Sequence, residues 1–154
     1  MLFKNKNFKS LKIYQNIVDI SRNKFFYLEL SIEDTFEARF DLIILHAFVI
    51  FYYFKEENYN KKSSPGKIAQ DLFDYMFEDF ENNLREMGFG DIAVNKKMKT
   101  FITAFYGRIA QYNKSYDNYF EKKDKSLLSE TILNNIYKGK KQRSEDIDYF
   151  TNYM

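Results

Sequence analysis

Chemistry in a chain of this composition would have to come from very few groups. His46 is the single histidine among 154 residues, and it lies in the longest uncharged stretch, Leu42 to Phe54. An imidazole there has the makings of a haem or metal ligand. With no second histidine to complete a ligand set, a hydrogen-bonded histidine in a core or interface is the preferred reading. Carboxylates recur at Asp71, Asp74, Glu78 and Glu81, and the last three share one helical face. Helical carboxylates build dinuclear metal centres in company with Glu-x-x-His motifs, and this sequence has none. They read as a solvated or partner-facing surface. The corner Gly88-Phe89-Gly90-Asp91 lacks the strand before it and the Lys-Ser/Thr after it that a phosphate loop needs, so it reads as a helix–helix corner. Cysteine is absent, which removes disulfides, thiolate zinc sites, iron–sulfur clusters and thiol nucleophiles. No catalytic residue, metal or cofactor is expected. The enzyme alternative is a small catalyst of unknown type using Asp34, Arg39 and His46.

Arginine is scarce beside lysine: Arg22, Arg39, Arg85, Arg108 and Arg143. Where lysine serves for plain charge, the remaining arginines are expected where a planar, multi-donor guanidinium is needed. The formal net charge of +2 is too small to imply nucleic-acid binding, and no DNA partner is expected. Charge is nevertheless segregated. Residues 1–24 carry six Lys/Arg and one Asp, residues 68–91 seven Asp/Glu and one Arg, and residues 92–125 eight Lys/Arg and three Asp/Glu. Basic groups at Lys96, Lys97, Lys99 and from Lys138 to Arg143 are candidate anion-binding patches if they lie together. The basic start is followed by no apolar signal-peptide core, and Leu42 to Phe54 falls short of the ~20 residues that span a bilayer. These features predict a cytoplasmic protein with peripheral contact to a membrane surface.

The elements that would position these groups are helical. Leu11, Tyr14, Ile17, Val18 and Ser21 recur at 3–4 spacing, predicting a first helix from Phe8 to about Ile20. Residues 25–33 lack that period and read as a loop or short extended piece. Asp34 as N-cap with Glu37 three residues on opens a second helix, Thr35 to about Lys55, whose latter half is apolar all round. Such a helix is central in a core or covered by a partner, which predicts exposed rings around Phe48, Phe51, Tyr52 and Tyr53. Ser64-Pro65 starts a third helix that Gly88 ends, with Asp91 capping the next. Val94, Met98, Phe101, Phe105, Ile109 and Tyr112 make a fourth, with Gly107 implying close backbone packing. Residues 117–126 read as a charged loop, Leu127 to Tyr137 as a fifth helix, 138–143 as a flexible basic break and 145–153 as a short last helix. The expectation is an all-α bundle of about five main helices over residues 8–137, followed by a basic linker and short C-terminal helix over 138–154.

Three stretches in this order resemble the ubiquinol–cytochrome c chaperone family. The first is Asp34-Thr35-Phe36-Glu37-Ala38-Arg39-Phe40-Asp41 followed by Leu45-His46. The second is Leu72-Phe73-Asp74 leading to Leu84-Arg85-Glu86-Met87-Gly88-Phe89-Gly90-Asp91. The third is Lys97 and Lys99 leading to Ala104-Phe105-Tyr106-Gly107-Arg108. Tyr14, Ile17, Val18 and Arg22 fit as well. The chain departs from the family at Glu33 and Ala38, where proline and glycine are usual. The resemblance implies a non-enzymatic assembly chaperone for respiratory complex III. Its implied client is newly made cytochrome b or another complex III subunit, together with a small assembly partner, near the membrane or ribosome. The motif residues Asp34, Thr35, Arg39, Phe40, Asp41, His46, Arg85, Gly88, Gly90, Asp91, Phe105, Tyr106, Gly107 and Arg108 are thereby candidates for structure or partner contact. A peripheral membrane or ribosome adaptor is the alternative binding role.

Overall fold

The computed structural model describes residues 8–60 and 65–154, and among them every regular element is a helix. Helix α1, Phe8–Ser21, buries Ser10, Tyr14, Ile17 and Ser21 along one stripe against α3 and α4. Helix α2, Lys24–Leu28, replaces the loop expected over 25–33. Asn23 nucleates it by accepting the Phe25 N–H at 3.0 Å, and its single inward ring, Phe26, is buried. Five residues are too few for a periodic pattern to show.

Helix α3, Phe36–Asn60, is the hub: it touches α1, α4, α5 and α6. That surround explains its all-round apolar character, since Leu42, Ile44, Leu45, Ala47 and Phe48 are each fully covered. Covering a Leu, Ile or Phe side chain is worth roughly 1.5–3 kcal/mol. Its cap differs from the sequence expectation. Thr35 Oγ1, not Asp34, accepts the Ala38 N–H at 3.1 Å, because Asp34 turns to Arg39.

Helix α4, Pro65–Glu86, opens on proline as expected; its proposed cap Ser64 lies outside the described residues. It ends in a Schellman turn. The Phe89 N–H donates to Leu84 O (3.2 Å) and the Gly88 N–H to Arg85 O (2.9 Å), with Gly88 at φ +93°. Helix α5, Asp91–Lys122, runs on through most of the expected loop. The reason is that Tyr112, Tyr116 and Phe120 continue the 3–4 spacing while the intervening charges face solvent. Lys123 in the left-handed region ends it.

Helices α6, Ser126–Ile136, and α7, Ser144–Tyr153, close the bundle and pack on each other. Phe150 of α7 is fully buried and stacks on Phe26 at 5.7 Å. Rings form much of the interior. Phe40 sits between Phe80 and Phe101 (4.9 and 4.6 Å), and Phe48 stacks on Tyr112 (5.2 Å). Such pairs add about 0.5–1.5 kcal/mol beyond area burial.

Candidate functional site

The candidate residues fall in three places. At the start of α3, Arg39 Nε donates to Asp34 Oδ1 at 2.7 Å, and both side chains are about half exposed. Arg39, Arg22 and Lys24 wall an open hollow of about 690 Å³, with Tyr27, Leu28, Ile32 and Asp34 completing its lining. Arg22 and Arg39 also border the seam where Phe36, Phe40 and Phe80 meet.

One turn further in, Asp41 is 1% exposed. Arg108 Nε of α5 lies 2.6 Å from its Oδ1, and Lys138 Nζ, between α6 and α7, donates to Oδ2. The Arg108 contact is an ion pair by distance without hydrogen-bond alignment; its guanidinium also lies over the Phe40 ring, 5.8 Å from the centroid. Burial pushes the Asp41 carboxyl above its usual range, against the pull of the two cations. The trio ties three distant parts of the chain, and Lys138 also lines an open hollow of about 400 Å³ together with Glu33, Thr35, Glu37 and Tyr137.

The third place is the α4–α5 corner. Arg85 Nη2 and Nε reach Glu81 Oε1 (2.8 and 3.2 Å), while Nη1 reaches Asp91 Oδ1. The guanidinium thus joins the end of one helix to the start of the next. Asp91 is spent on this pairing and does not cap α5, which starts after extended Gly90 with no side-chain cap. Lys97 Nζ covers the Phe89 ring at 4.7 Å.

His46 is a satisfied core histidine. Nδ1 is 2.7 Å from Leu42 O and 3.2 Å from Ser21 Oγ, so it carries the proton. Nε2 then accepts from Tyr153 Oη at 2.8 Å. Burial lowers its pKa, and the bond to Leu42 O opposes that only in part. Phe105 is buried against Phe73 and Phe77, while Tyr106 is exposed. Gly107 does not mark close packing: a Cβ there would meet nothing within 4 Å. Its position on the outer face of α5 overturns the expectation of a tight approach by a neighbouring helix.

Among the described residues no three His, Asp or Glu side chains gather at metal-binding spacing. Within the basic stretch 138–143 several groups are engaged: Lys140 pairs with Glu33, and Arg143 with Asp146 and the Glu29 carbonyl. Sequence reasoning missed Lys138 and Tyr153 as partners of Asp41 and His46. The left-handed backbone at Lys138 (φ 55°) that aims it has no residue-type signal.

Exposed rings lie in the later turns of α3 and α5. Phe48, expected there, is fully buried under Tyr112 and Tyr116. Phe51 and Tyr52 are half-buried, but Tyr53 is 58% exposed and Phe120, stacked on Tyr52, is 54% exposed. Lys123 lies over the Tyr119 and Phe120 rings and Lys55 over Tyr52.

These features make an all-helical scaffold, with ion pairs bridging its helices and several rings on its outside. The chain belongs to the ubiquinol-cytochrome C chaperone family, whose pattern matches residues 28–154. It is 26% identical over 104 residues to the mouse (Mus musculus) ubiquinol-cytochrome c reductase complex assembly factor 1; this covers 68% of the chain and 34% of that relative, about a third of its length. The crystal structure of the Cbp3 homolog from Brucella abortus superposes with a TM-score of 0.76 at 29% identity, covering 94% of this chain and 75% of that one.

Proposed function

We propose that this protein holds a newly made subunit of ubiquinol–cytochrome c reductase, cytochrome b first among the candidates, until the complex is built. The observation that carries the reading is the exposed aromatic end of α3 and α5 around Tyr53 and Phe120, in a chain of the chaperone family. Apolar area removed from water is worth roughly 25 cal/mol per Å², so a surface of this kind delays aggregation of a membrane subunit without chemistry. The motif residues Asp34 and Arg39 at the start of α3, and Arg85 at the α4–α5 corner, form exposed ion pairs at two separate places open to an assembly partner. The same reading makes the protein peripheral to the cytoplasmic face of the membrane. No helix among the described residues is long and apolar enough to cross a membrane.

The test pairs affinity capture from native membranes with Tyr53→Glu/Phe120→Glu. The double variant should fold with a slightly lower melting temperature, since Phe120 gives up its stack on Tyr52, and lose the captured complex III subunit; Tyr53→Glu alone should weaken capture with melting unchanged. A deletion strain should show less b-type haem by difference spectroscopy and less complex III on native gels. Normal levels of both would remove the assignment.

A further inference from the structure

The corner formed by the end of α1 and α2 combines exposed apolar side chains with cations. Leu28 is 74% exposed on a five-residue helix, with Phe25 and Ile20 partly exposed beside it. Phe25 extends to Tyr149 of α7, ring centroids 5.1 Å apart. Cations flank these apolar groups at Arg22 and Lys24, and Arg39 stands across the hollow of about 690 Å³. Over residues 8–28 there are four Lys/Arg and one acid, Asp19. Glu29 is the next carboxylate along the chain, and Asp34 is already bound to Arg39.

We infer that this corner docks on the surface of an anionic phospholipid bilayer, with Phe25 and Leu28 entering the headgroup–acyl boundary and Arg22 and Lys24 meeting lipid phosphates. Three observations converge. Ile20, Phe25 and Leu28 are exposed side by side in chain order at the α1–α2 corner, and such side chains can enter a soft surface without a matching groove. Leucine and phenylalanine bracketed by Lys and Arg, with tyrosine beside them, is the composition that settles at a membrane interface. The hollow there is open and lined by Leu28 and Ile32 together with Arg22 and Lys24, Arg39 being paired with Asp34, so a phosphate held there leaves its chains pointing along the apolar side. The net positive charge of residues 8–28 supplies the attraction to an anionic leaflet. The corner is separate from the aromatic end of α3 and α5: Arg39 and Tyr53 stand 14 residues apart on α3, roughly 20 Å at 1.5 Å per residue.

This inference rests on the peripheral placement proposed above and not on the identity of any client. The chain has no tryptophan, so Leu28→Trp gives it one such fluorophore, at this corner. Large unilamellar vesicles of phosphatidylcholine with one third phosphatidylglycerol should shift that emission to the blue and carry the protein down in co-sedimentation. Pure phosphatidylcholine vesicles should do neither, and raised salt should release the protein. Neutralising Arg22 or Lys24 should weaken vesicle binding about fivefold each, and Leu28→Glu should abolish it with melting unchanged. Tyr53→Glu/Phe120→Glu should bind vesicles like the parent. Loss of vesicle binding in that variant, equal binding of Leu28→Glu, or binding to ribosomal RNA in place of vesicles would each overturn the assignment. Vesicles contain no client, so failure here leaves the chaperone reading standing, and failure of client capture leaves this one.

Discussion

His46 shows how a residue with catalytic potential is turned to structure. Both ring nitrogens are spoken for, by Leu42 O and Tyr153 Oη, and burial holds the imidazole neutral. The sign of the pH effect follows. The folded pKa lies below the unfolded value near 6.5. The unfolded chain therefore gains a proton first as pH falls, and stability drops from about pH 6.5 downward, by up to about 1.4 kcal/mol per pH unit until the folded pKa is reached. Above pH 7 the group contributes no slope. His46→Gln should melt lower than the parent at pH 8, with the gap narrowing at pH 5.5. A gap that is constant between these pH values would sink this account. The sequence showed the apolar surroundings of His46 but not its partner, because Tyr153 is 107 residues away and no local pattern connects them.

Among the elements, the long helices were legible because their apolar periods are strong and their ends carry real stop signals, as at Pro65 and Gly88. The departures have local causes. α2 is too short to show a period, and the last turns of α5 hide their apolar line among lysines and acids. Gly107 was misread for a physical reason: a mid-helix glycine signals either close approach or plain tolerance, and only packing separates the two. Since a Cβ there meets open space, Gly107→Ala should raise stability by up to about 1 kcal/mol, the usual helix-propensity gain. Thermal melting checks this, and a lower melting temperature would mean the face is packed after all. The motif around Arg85 was legible as a corner; its use of Asp91 as an ion-pair partner in place of a cap was not, since both roles suit the same residue type.

The whole molecule is tied together by groups far apart in sequence. Asp41, Arg108 and Lys138 meet from α3, α5 and the α6–α7 connection. Because burial disfavours the Asp41 charge more than its partners favour it, the cluster fixes the relative placement of helices rather than adding net stability. Removing one cation should then be worse than removing the charge itself. Arg108→Met should cost about 3 kcal/mol, lowering the melting temperature by roughly 6–12 °C in a chain of this size. Adding Asp41→Asn to that variant should recover most of the loss. Strict additivity of the two substitutions would show that the side chains are not coupled.

The reach of these ties bears on how the protein comes off the ribosome. Lys138, Phe150 and Tyr153 complete contacts begun by Asp41, Phe26 and His46 more than ninety positions earlier. Synthesis proceeds at ~5–20 residues per second, so the hub helix waits several seconds for groups that have not yet been made. During that interval its apolar sides must be sheltered by α1, α4 and α5 as they emerge, before α6 and α7 are in place. A protein whose proposed task is to shield unfinished membrane subunits thus passes through an unfinished state of its own.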